Sequence, residues 1–151
     1  MIREHLQVFA KASSDVLASL GVQAVHQAPL ALPDSFFSRY DLAIIVGLAR
    51  DLRGSVVYSM ATETALALAG QMMGGMSLPG LDEMVKSAVC ELGNMCAGSS
   101  VCNLPGLTAD ITPPTLITGS KLAIMAGSDN VLMTEIATSV GMVEVRLGLE
   151  E

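Results

Sequence analysis

Apolar positions in the first part of the chain follow two different spacings. An apolar residue recurs every three or four positions over residues 6–20, which predicts an α-helix that stops at Gly21. Apolar and polar residues then alternate over residues 22–26, which is typical of a short strand. Pro29 and Pro33 interrupt the pattern after that strand. The chain is therefore expected to begin with a helix followed by a strand.

The middle of the chain predicts a β-hairpin and a second helix. Residues 40–48 and 55–60 are rich in apolar and β-branched side chains, and the polar segment 50–54 between them has the composition of a turn. A helical pattern follows from Glu63 to about Met73, with Thr62 as a plausible N-cap. These two predictions place a hairpin directly before a helix.

The last third of the chain reads as a series of strands. The predicted strands are residues 109–112, 115–118, 122–125, 131–138 and 142–149. Pro113 and Pro114 separate the first two and exclude a continuous central strand there. Because several strands accompany only a few helices, we expect an α+β fold: a largely antiparallel sheet packed against helices.

The longest predicted helix, over residues 81–101, carries a polar stripe. At about 100° per residue, its residues Ser87, Glu91, Asn94 and Gly98 lie within roughly 40–60° of one another. The side about 130° away is mostly apolar and is expected to be buried. It consists of Leu81, Val85, Ala88, Val89, Leu92, Met95, Cys96 and Ser99.

The outer side of this helix is unusual for a surface that faces solvent. It includes Gly93, Ala97, Gly98 and Ser100, where long charged side chains are typical. A glycine inside a helix costs about 1 kcal/mol relative to alanine. One interpretation is that the small residues let another backbone approach and leave Glu91 and Asn94 protruding. The other is an amphipathic helix of weak propensity, and the residues alone leave both open.

Composition and charge exclude several functions. Hydrophobic residues make up 51% of the 151 residues, enough for one domain spanning residues 1–151 with a sizeable core. The net charge is −7 and the eight basic residues are scattered, so neither nucleic acid nor a membrane surface is an expected partner. The longest apolar run, residues 42–49, is too short to span a bilayer and no signal peptide is evident. We expect a cytoplasmic protein.

No metal site of the chain's own is predicted. Cys90, Cys96 and Cys102 are spaced by six residues, so on a helix their thiols point in three directions and cannot converge on one ion. One carboxylate and one amide, Glu91 and Asn94, are too few for an all-protein metal site or for a complete hydrolase. Such a pair becomes catalytic most easily if a partner supplies the remaining groups.

Four segments together match a family pattern. They are Thr64-Ala65-Leu66 through Met72-Met73-Gly74-Gly75-Met76, Leu81-Asp82-Glu83, Ser87-x-x-x-Glu91-Leu92-Gly93-Asn94-Met95 with Gly98, and Asp110-Ile111-Thr112-Pro113-Pro114-Thr115. On these residues the chain resembles the CheX proteins of bacterial chemotaxis, relatives of the CheC and FliY phosphatases. Those proteins remove the aspartyl phosphate of the response regulator CheY. The resemblance implies a CheC-like fold with one long motif-bearing helix.

The resemblance also implies roles for the polar stripe. Asn94 would orient a water for attack on the acyl phosphate, and Glu91 would pair with a lysine of the regulator. Ser87 and Gly98 would contact the partner, and the regulator would bring the Mg²⁺, so the chain needs no cofactor of its own. A homodimer with sheets joined across subunits is expected as well. Since no other Glu-x-x-Asn occurs, one site is implied.

Two alternatives of a different class stay open. The same fold serves as a non-catalytic binding or assembly domain in the related flagellar-switch proteins. A scaffold could also capture the phosphorylated regulator without hydrolysing it. The presence of both Glu91 and Asn94 favours the phosphatase, because a purely structural member has no need of both.

Overall fold

The computed structural model describes residues 2–26, 38–120, 122–123 and 130–150. Its helices are α1 (Ile2–Ser19), α2 (Thr62–Met72) and α3 (Glu83–Cys102). Its strands are β1 (Ala24–His26), β2 (Leu42–Arg50), β3 (Gly54–Met60), β4 (Ala109–Ile111), β5 (Thr115–Thr118), β6 (Asn130–Thr138) and β7 (Gly141–Leu149). The predicted breaks at Pro29 and Pro33 and residues 124–125 of one predicted strand lie outside the described residues.

These strands form one antiparallel sheet in the order β1-β6-β7-β3-β2-β4, and β5 also pairs with β2. The predicted hairpin is confirmed as β2 and β3, in register from Leu42 opposite Met60 to Leu48 opposite Gly54. The sheet and its helices confirm the α+β fold. Among the described helices, none has the length and apolar character needed to cross a membrane.

The strand order follows an approximate two-fold pattern. The run α1-β1-β2-β3 corresponds to the later run α3-β4/β5-β6-β7, and the two runs meet where β3 pairs with β7. The first strand of each run is exchanged: β1 pairs with β6 of the later run, while β4 and β5 pair with β2 of the earlier one. Each half of the chain therefore completes the sheet of the other.

The core lies between the helices and one face of the sheet. Alternate residues of β2, Leu42, Ile44 and Val46, point to that face and are fully buried, as strand periodicity requires. Helix α1 contributes Leu6 and Phe9 from a single stripe, each without exposed surface. It begins at Ile2, earlier than the predicted residue 6, because its first turn is polar and carries no apolar periodicity.

The side chains of β7 that alternate with its core positions form part of an ionic cluster. Glu144 and Arg146 of β7 are almost fully buried, and their side chains pair at 3.0 Å. Arg39 contacts Glu144 at 3.6 Å and also pairs with Glu135 of β6. The pKa of the Arg39 guanidinium is raised, chiefly by its hydrogen bond to Glu135. Buried charges of this kind are kept in place by mutual pairing.

The predicted N-cap of α2 is wrong. The N-cap position is Ala61, and no side chain of the cap residue accepts a helical N–H group. Thr62 lies inside the helix, and its backbone N–H donates to Asp41 Oδ1 at 2.8 Å. Because Asp41 comes from the segment before β2, this cap is supplied by a residue distant in sequence.

Candidate functional site

Helix α3 starts at a well-formed N-cap. Asp82 adopts an extended backbone, and its Oδ1 accepts the N–H of Val85 at 2.9 Å. This hydrogen bond satisfies one of the N–H groups that an α-helix leaves unpaired at its start. With Glu83 in the first turn, negative charge also lies at the positive end of the helix dipole. The motif helix therefore begins at Glu83, two residues after the predicted start at Leu81.

The buried face of α3 differs from the predicted one. Gly93, Ala97 and Ser100, assigned to the outer side from the sequence, are buried, so the buried face is rotated by roughly 60°. A Cβ on Gly93 would lie only 2.5 Å from Cγ2 of Ile44 on β2. The small residues here bring the helix close to the protein's own sheet. Their proposed use in approaching a second protein is wrong for these three positions.

The remaining polar stripe borders an open groove of about 730 Å³. Ser87 and Glu91 are exposed and Asn94 is half-buried. Within the described part of the chain, no hydrogen bond or ion pair engages the side chains of Glu91 and Asn94, so both can bind a partner. The residues of α3 that line the groove are Glu83, Lys86, Ser87, Cys90, Glu91 and Asn94.

The opposite wall comes from the edge of the sheet. It consists of residues in and between β4 and β5: Ile111, Thr112, Pro113, Pro114, Leu116 and Thr118. Sequence reasoning did not select this wall as part of the site, although the Asp-Ile-Thr-Pro-Pro segment contributed to the family resemblance. The wall is set by a change in strand register across the two prolines, and no local sequence pattern displays that change. That register depends on pairing with β2, which is distant in sequence.

Gly98 lies near the end of β4. A Cβ on Gly98 would meet Cδ1 of Ile111 at 3.8 Å, which is an ordinary contact. Gly98 is half-buried and is not among the residues that line the groove. The structure therefore brings Ser87, Glu91 and Asn94 together at the groove and places Gly98 beside β4, one turn beyond Asn94.

The α3 wall carries both signs of charge and a thiol. Lys86 Nζ lies 3.7 Å from Glu83 Oε1, but the Glu83 side chain is 97% exposed, so this ion pair contributes little to stability. Burial raises the pKa of the Cys90 thiol, which keeps the group protonated near neutral pH. The groove thus combines an unpaired carboxylate, an unpaired amide and a protonated thiol.

The residues that the structure describes offer no cluster of metal ligands. Across the described ranges, no three His, Cys, Asp or Glu side chains come together as a cation site would require. The three cysteines are free: Cys90 is half-buried, Cys96 is buried and Cys102 is exposed. They therefore occupy three different environments.

The fold and the groove-bearing helix define a class of α+β protein that several solved structures share. The chemotaxis protein CheX of Desulfovibrio desulfuricans superposes with a TM-score of 0.87, at 24% identity, covering 97% of this chain and 99% of that one. A CheC-like protein of Shewanella has a TM-score of 0.84 at 20% identity, with both chains covered completely. At these identities the likeness establishes the fold alone, and the fold is CheC-like.

The sequence profile of "Chemotaxis phosphatase CheX" matches residues 42–137, more than half of the chain. The chain belongs to the chemotaxis phosphatase CheX family. A curated relative, the CheY-P phosphatase CheX of Thermotoga maritima, is 44% identical over 87 residues. That alignment covers 56% of this chain and 56% of the relative, so the chain matches little more than half of that protein's length.

One solved relative is a complex. The CheX–CheY–BeF3–Mg²⁺ complex of Borrelia burgdorferi contains a chain that superposes with a TM-score of 0.79 at 29% identity, covering 97% of this chain and 98% of that one. In that structure a CheX protein is assembled with CheY. The two chains share the same fold over nearly their whole lengths.

Proposed function

We propose that this protein hydrolyses the aspartyl phosphate of a CheY-like response regulator. The observation that carries the proposal is the groove itself, where Glu91 and Asn94 stand one helical turn apart with no partner among the described residues. Family membership supports the same reaction, since the Thermotoga maritima relative is a CheY-P phosphatase. The substrate would be a protein that carries the phosphate into the groove.

Asn94 is the residue proposed to act in the chemical step. Its amide would hold a water in line with the phosphorus–oxygen bond of the acyl phosphate. Attack by that water forms a new phosphorus–oxygen bond and releases the regulator's aspartate as a carboxylate. Positioning of this kind is the main source of catalysis in phosphoryl transfer, where the protein contributes little covalent chemistry. Asn94 is half-buried, which limits the orientations that its amide can adopt.

Glu91 is proposed to dock the regulator by pairing with one of its lysines. An exposed ion pair contributes only about 0.2–1 kcal/mol, so Glu91 matters chiefly if docking removes it from water. Ser87 and Gly98 are proposed as further partner contacts, with Ser87 in the groove and Gly98 beside β4, one turn beyond Asn94. The bound regulator would supply the Mg²⁺ that stabilises charge on the phosphoryl oxygens. The described residues offer no cluster of ligands for that ion.

The test mixes the protein with a phosphorylated CheY-like regulator and Mg²⁺ and follows phosphate release. We expect Asn94→Ala to abolish the acceleration while binding to the beryllofluoride-activated regulator is retained. Glu91→Ala should raise KM, because docking is weakened. Glu63→Ala, an exposed carboxylate on α2, is the matched control and should behave like the wild type.

Two results would count against the phosphatase. If phosphate release is unaccelerated with every regulator of the organism, although one of them binds, the protein is a binding or scaffold domain on this fold. If Asn94→Ala hydrolyses as fast as the wild type, the proposed role of its amide is wrong.

A homodimer with joined sheets is also proposed. The sheet ends on short strands, β1 at one side and β4 with β5 at the other. Among the described residues, no further strand pairs with their outer backbone groups, and such edges can pair with another chain. Light scattering coupled to size-exclusion chromatography distinguishes a mass of two chains from a mass of one.

A further inference from the structure

The second wall of the groove contains a β-bulge. Ile111 of β4 pairs with Leu48, and Thr115 of β5 pairs with Ile45, both on β2. Two residues of β2 therefore face three residues of the edge, 112–114, so the edge carries one extra residue. Because of it, Ile111 and Leu116 both contact the core although they are five positions apart. The residues of the bulge line the groove opposite α3.

Thr112 fastens this bulge to β2. Its backbone N–H donates to the carbonyl oxygen of Gly47 at 2.9 Å, and its Oγ1 accepts the N–H of Gly47 at 2.8 Å. Gly47 leaves the space that this contact needs, because a Cβ there would lie 2.8 Å from Oγ1 and 2.9 Å from Cγ2 of Thr112. One threonine thus forms both hydrogen bonds with Gly47 at the interruption between β4 and β5.

The two prolines make this wall rigid. Pro113 and Pro114 have fixed φ angles and no backbone N–H, and each proline restricts the residue before it. With Thr112 bound to β2, the bulge has little freedom to lose when a partner binds, and a surface ordered in advance costs less to bind. Proline rings also present apolar surface next to the charged stripe on α3.

We propose that the Pro113–Pro114 bulge is the second docking wall for the regulator, and that Thr112 is the positioning residue that holds it opposite Glu91 and Asn94. The occupant is the edge of the regulator's active site: a lysine for Glu91 and an apolar side chain for the proline rings. This inference rests on the proposed function and names the part of the site that receives the partner. It assigns Thr112 no contact with the reacting atoms.

Steady-state hydrolysis of the phosphorylated regulator tests the positioning role. Thr112→Val keeps the shape of the side chain but removes the acceptor for the Gly47 N–H. Thr112→Val also removes the weaker hydrogen bond that Oγ1 donates to the carbonyl oxygen of Pro113 at 3.4 Å. Loss of these side-chain hydrogen bonds is expected to raise KM by about three- to tenfold with kcat within about twofold of the wild type. Thr112→Ser keeps the acceptor and should restore KM.

Gly47→Ala displaces Thr112 without substituting any residue that lines the groove, so it should reproduce the rise in KM. The double variant should be no worse than either single one, because both break the same contact. Thermal unfolding of each variant separates a local change at the wall from a loss of fold. An unchanged KM in folded Thr112→Val and Gly47→Ala, or a fall in kcat alone, would overturn the positioning role.

Docking itself can be measured without hydrolysis by thiol protection. Cys90 lines the groove, whereas Cys102 is exposed on the last turn of the same helix and serves as an internal control. The regulator with beryllofluoride and Mg²⁺ should slow alkylation of Cys90 and leave Cys102 unaffected. Thr112→Val should need a higher regulator concentration for the same protection, by the factor seen in KM.

The two proposals can fail separately. Protection of Cys90 without phosphate release contradicts the phosphatase and supports the docking groove. Phosphate release without protection of Cys90, or with equal protection of both thiols, contradicts the groove. Protection that Thr112→Val leaves unchanged contradicts the second wall alone.

Discussion

Substitution of glycine by alanine is expected to have opposite effects on stability at two positions of α3. Gly93 and Gly98 are five residues apart on one helix, and alanine in either place removes the cost of a glycine in a helix, about 1 kcal/mol. The new methyl group meets different surroundings. At Gly98 it would lie 3.8 Å from Cδ1 of Ile111, but at Gly93 it would lie 2.5 Å from Cγ2 of Ile44. The substitution therefore separates helix propensity from packing.

The distances give the expected magnitudes. A separation of 3.8 Å lies in the favourable range for two carbon atoms, so Gly98→Ala should raise the free energy of unfolding by about 0.5–1 kcal/mol. A separation of 2.5 Å is about 1 Å too short, and Ile44 is fully buried and cannot turn into solvent. Overpacking typically costs about 1–3 kcal/mol, so after the propensity gain of about 1 kcal/mol is subtracted, Gly93→Ala should lower the free energy of unfolding by up to about 2 kcal/mol.

Urea denaturation followed by far-ultraviolet circular dichroism measures both variants, and a second substitution identifies the source of the effect. Ile44→Ala removes the methyl group that Gly93→Ala would strike, so the double variant should be more stable than the sum of the single effects predicts. Ile44→Val keeps that methyl group and should give no such rescue. Equal stabilisation by Gly93→Ala and Gly98→Ala would refute the close approach of α3 to β2.

Three further predictions concern the cap, the ionic cluster and the thiols. Asp82→Ala removes the N-cap acceptor of α3 and should lower the free energy of unfolding, measured by urea denaturation, by about 1 kcal/mol. Asp82→Ser keeps an acceptor and should lose only a small part of that stability. Glu144→Ala leaves the buried guanidinium of Arg146 without its 3.0 Å partner and should cost about 3 kcal/mol in the same assay. Because burial raises the pKa of Cys90, a smaller fraction is thiolate at pH 8, so iodoacetamide should label it more slowly than exposed Cys102 by mass spectrometry. That difference should narrow as the pH rises.

Each of these has a clear contrary outcome. Equal losses for the alanine and serine variants of Asp82 would mean that the side-chain acceptor does not matter. A loss below about 1 kcal/mol for Glu144→Ala would place the cluster among exposed ion pairs, which contribute little. Equal labelling of Cys90 and Cys102 at pH 8 would mean that Cys90 is not shielded by the groove.

Local signals made much of the fold predictable. The β2–β3 hairpin follows from two apolar runs joined by a polar turn, and β5 was predicted with its exact bounds, residues 115–118. Such features depend on a few adjacent residues, and the sequence displays them directly. The N-cap position of α2 was missed because its first N–H is satisfied by Asp41, twenty-one positions earlier.

The candidate site was predictable on one side of the groove and not on the other. Glu91 and Asn94 lie three residues apart on one helix, so their common face follows from helical geometry. The burial of Gly93 does not, because small residues suit both a docking surface and close packing on a sheet. The bulge around Thr112 depends on how the edge pairs with β2, and pairing between segments so far apart leaves no local pattern.

The exchange of strands between the two halves of the chain has a consequence for folding. Strand β2 is flanked on one side by β4 and β5, and β6 by β1, so neither half can satisfy its backbone until the other has been synthesised. During translation the first half of the chain would therefore remain incompletely paired until the second half emerges. Pairing of strands so far apart in sequence is also slow. A chain cut between α2 and α3 should consequently regain structure only when both fragments are mixed. The groove between α3 and the β4–β5 edge would then form in the same step as the whole fold.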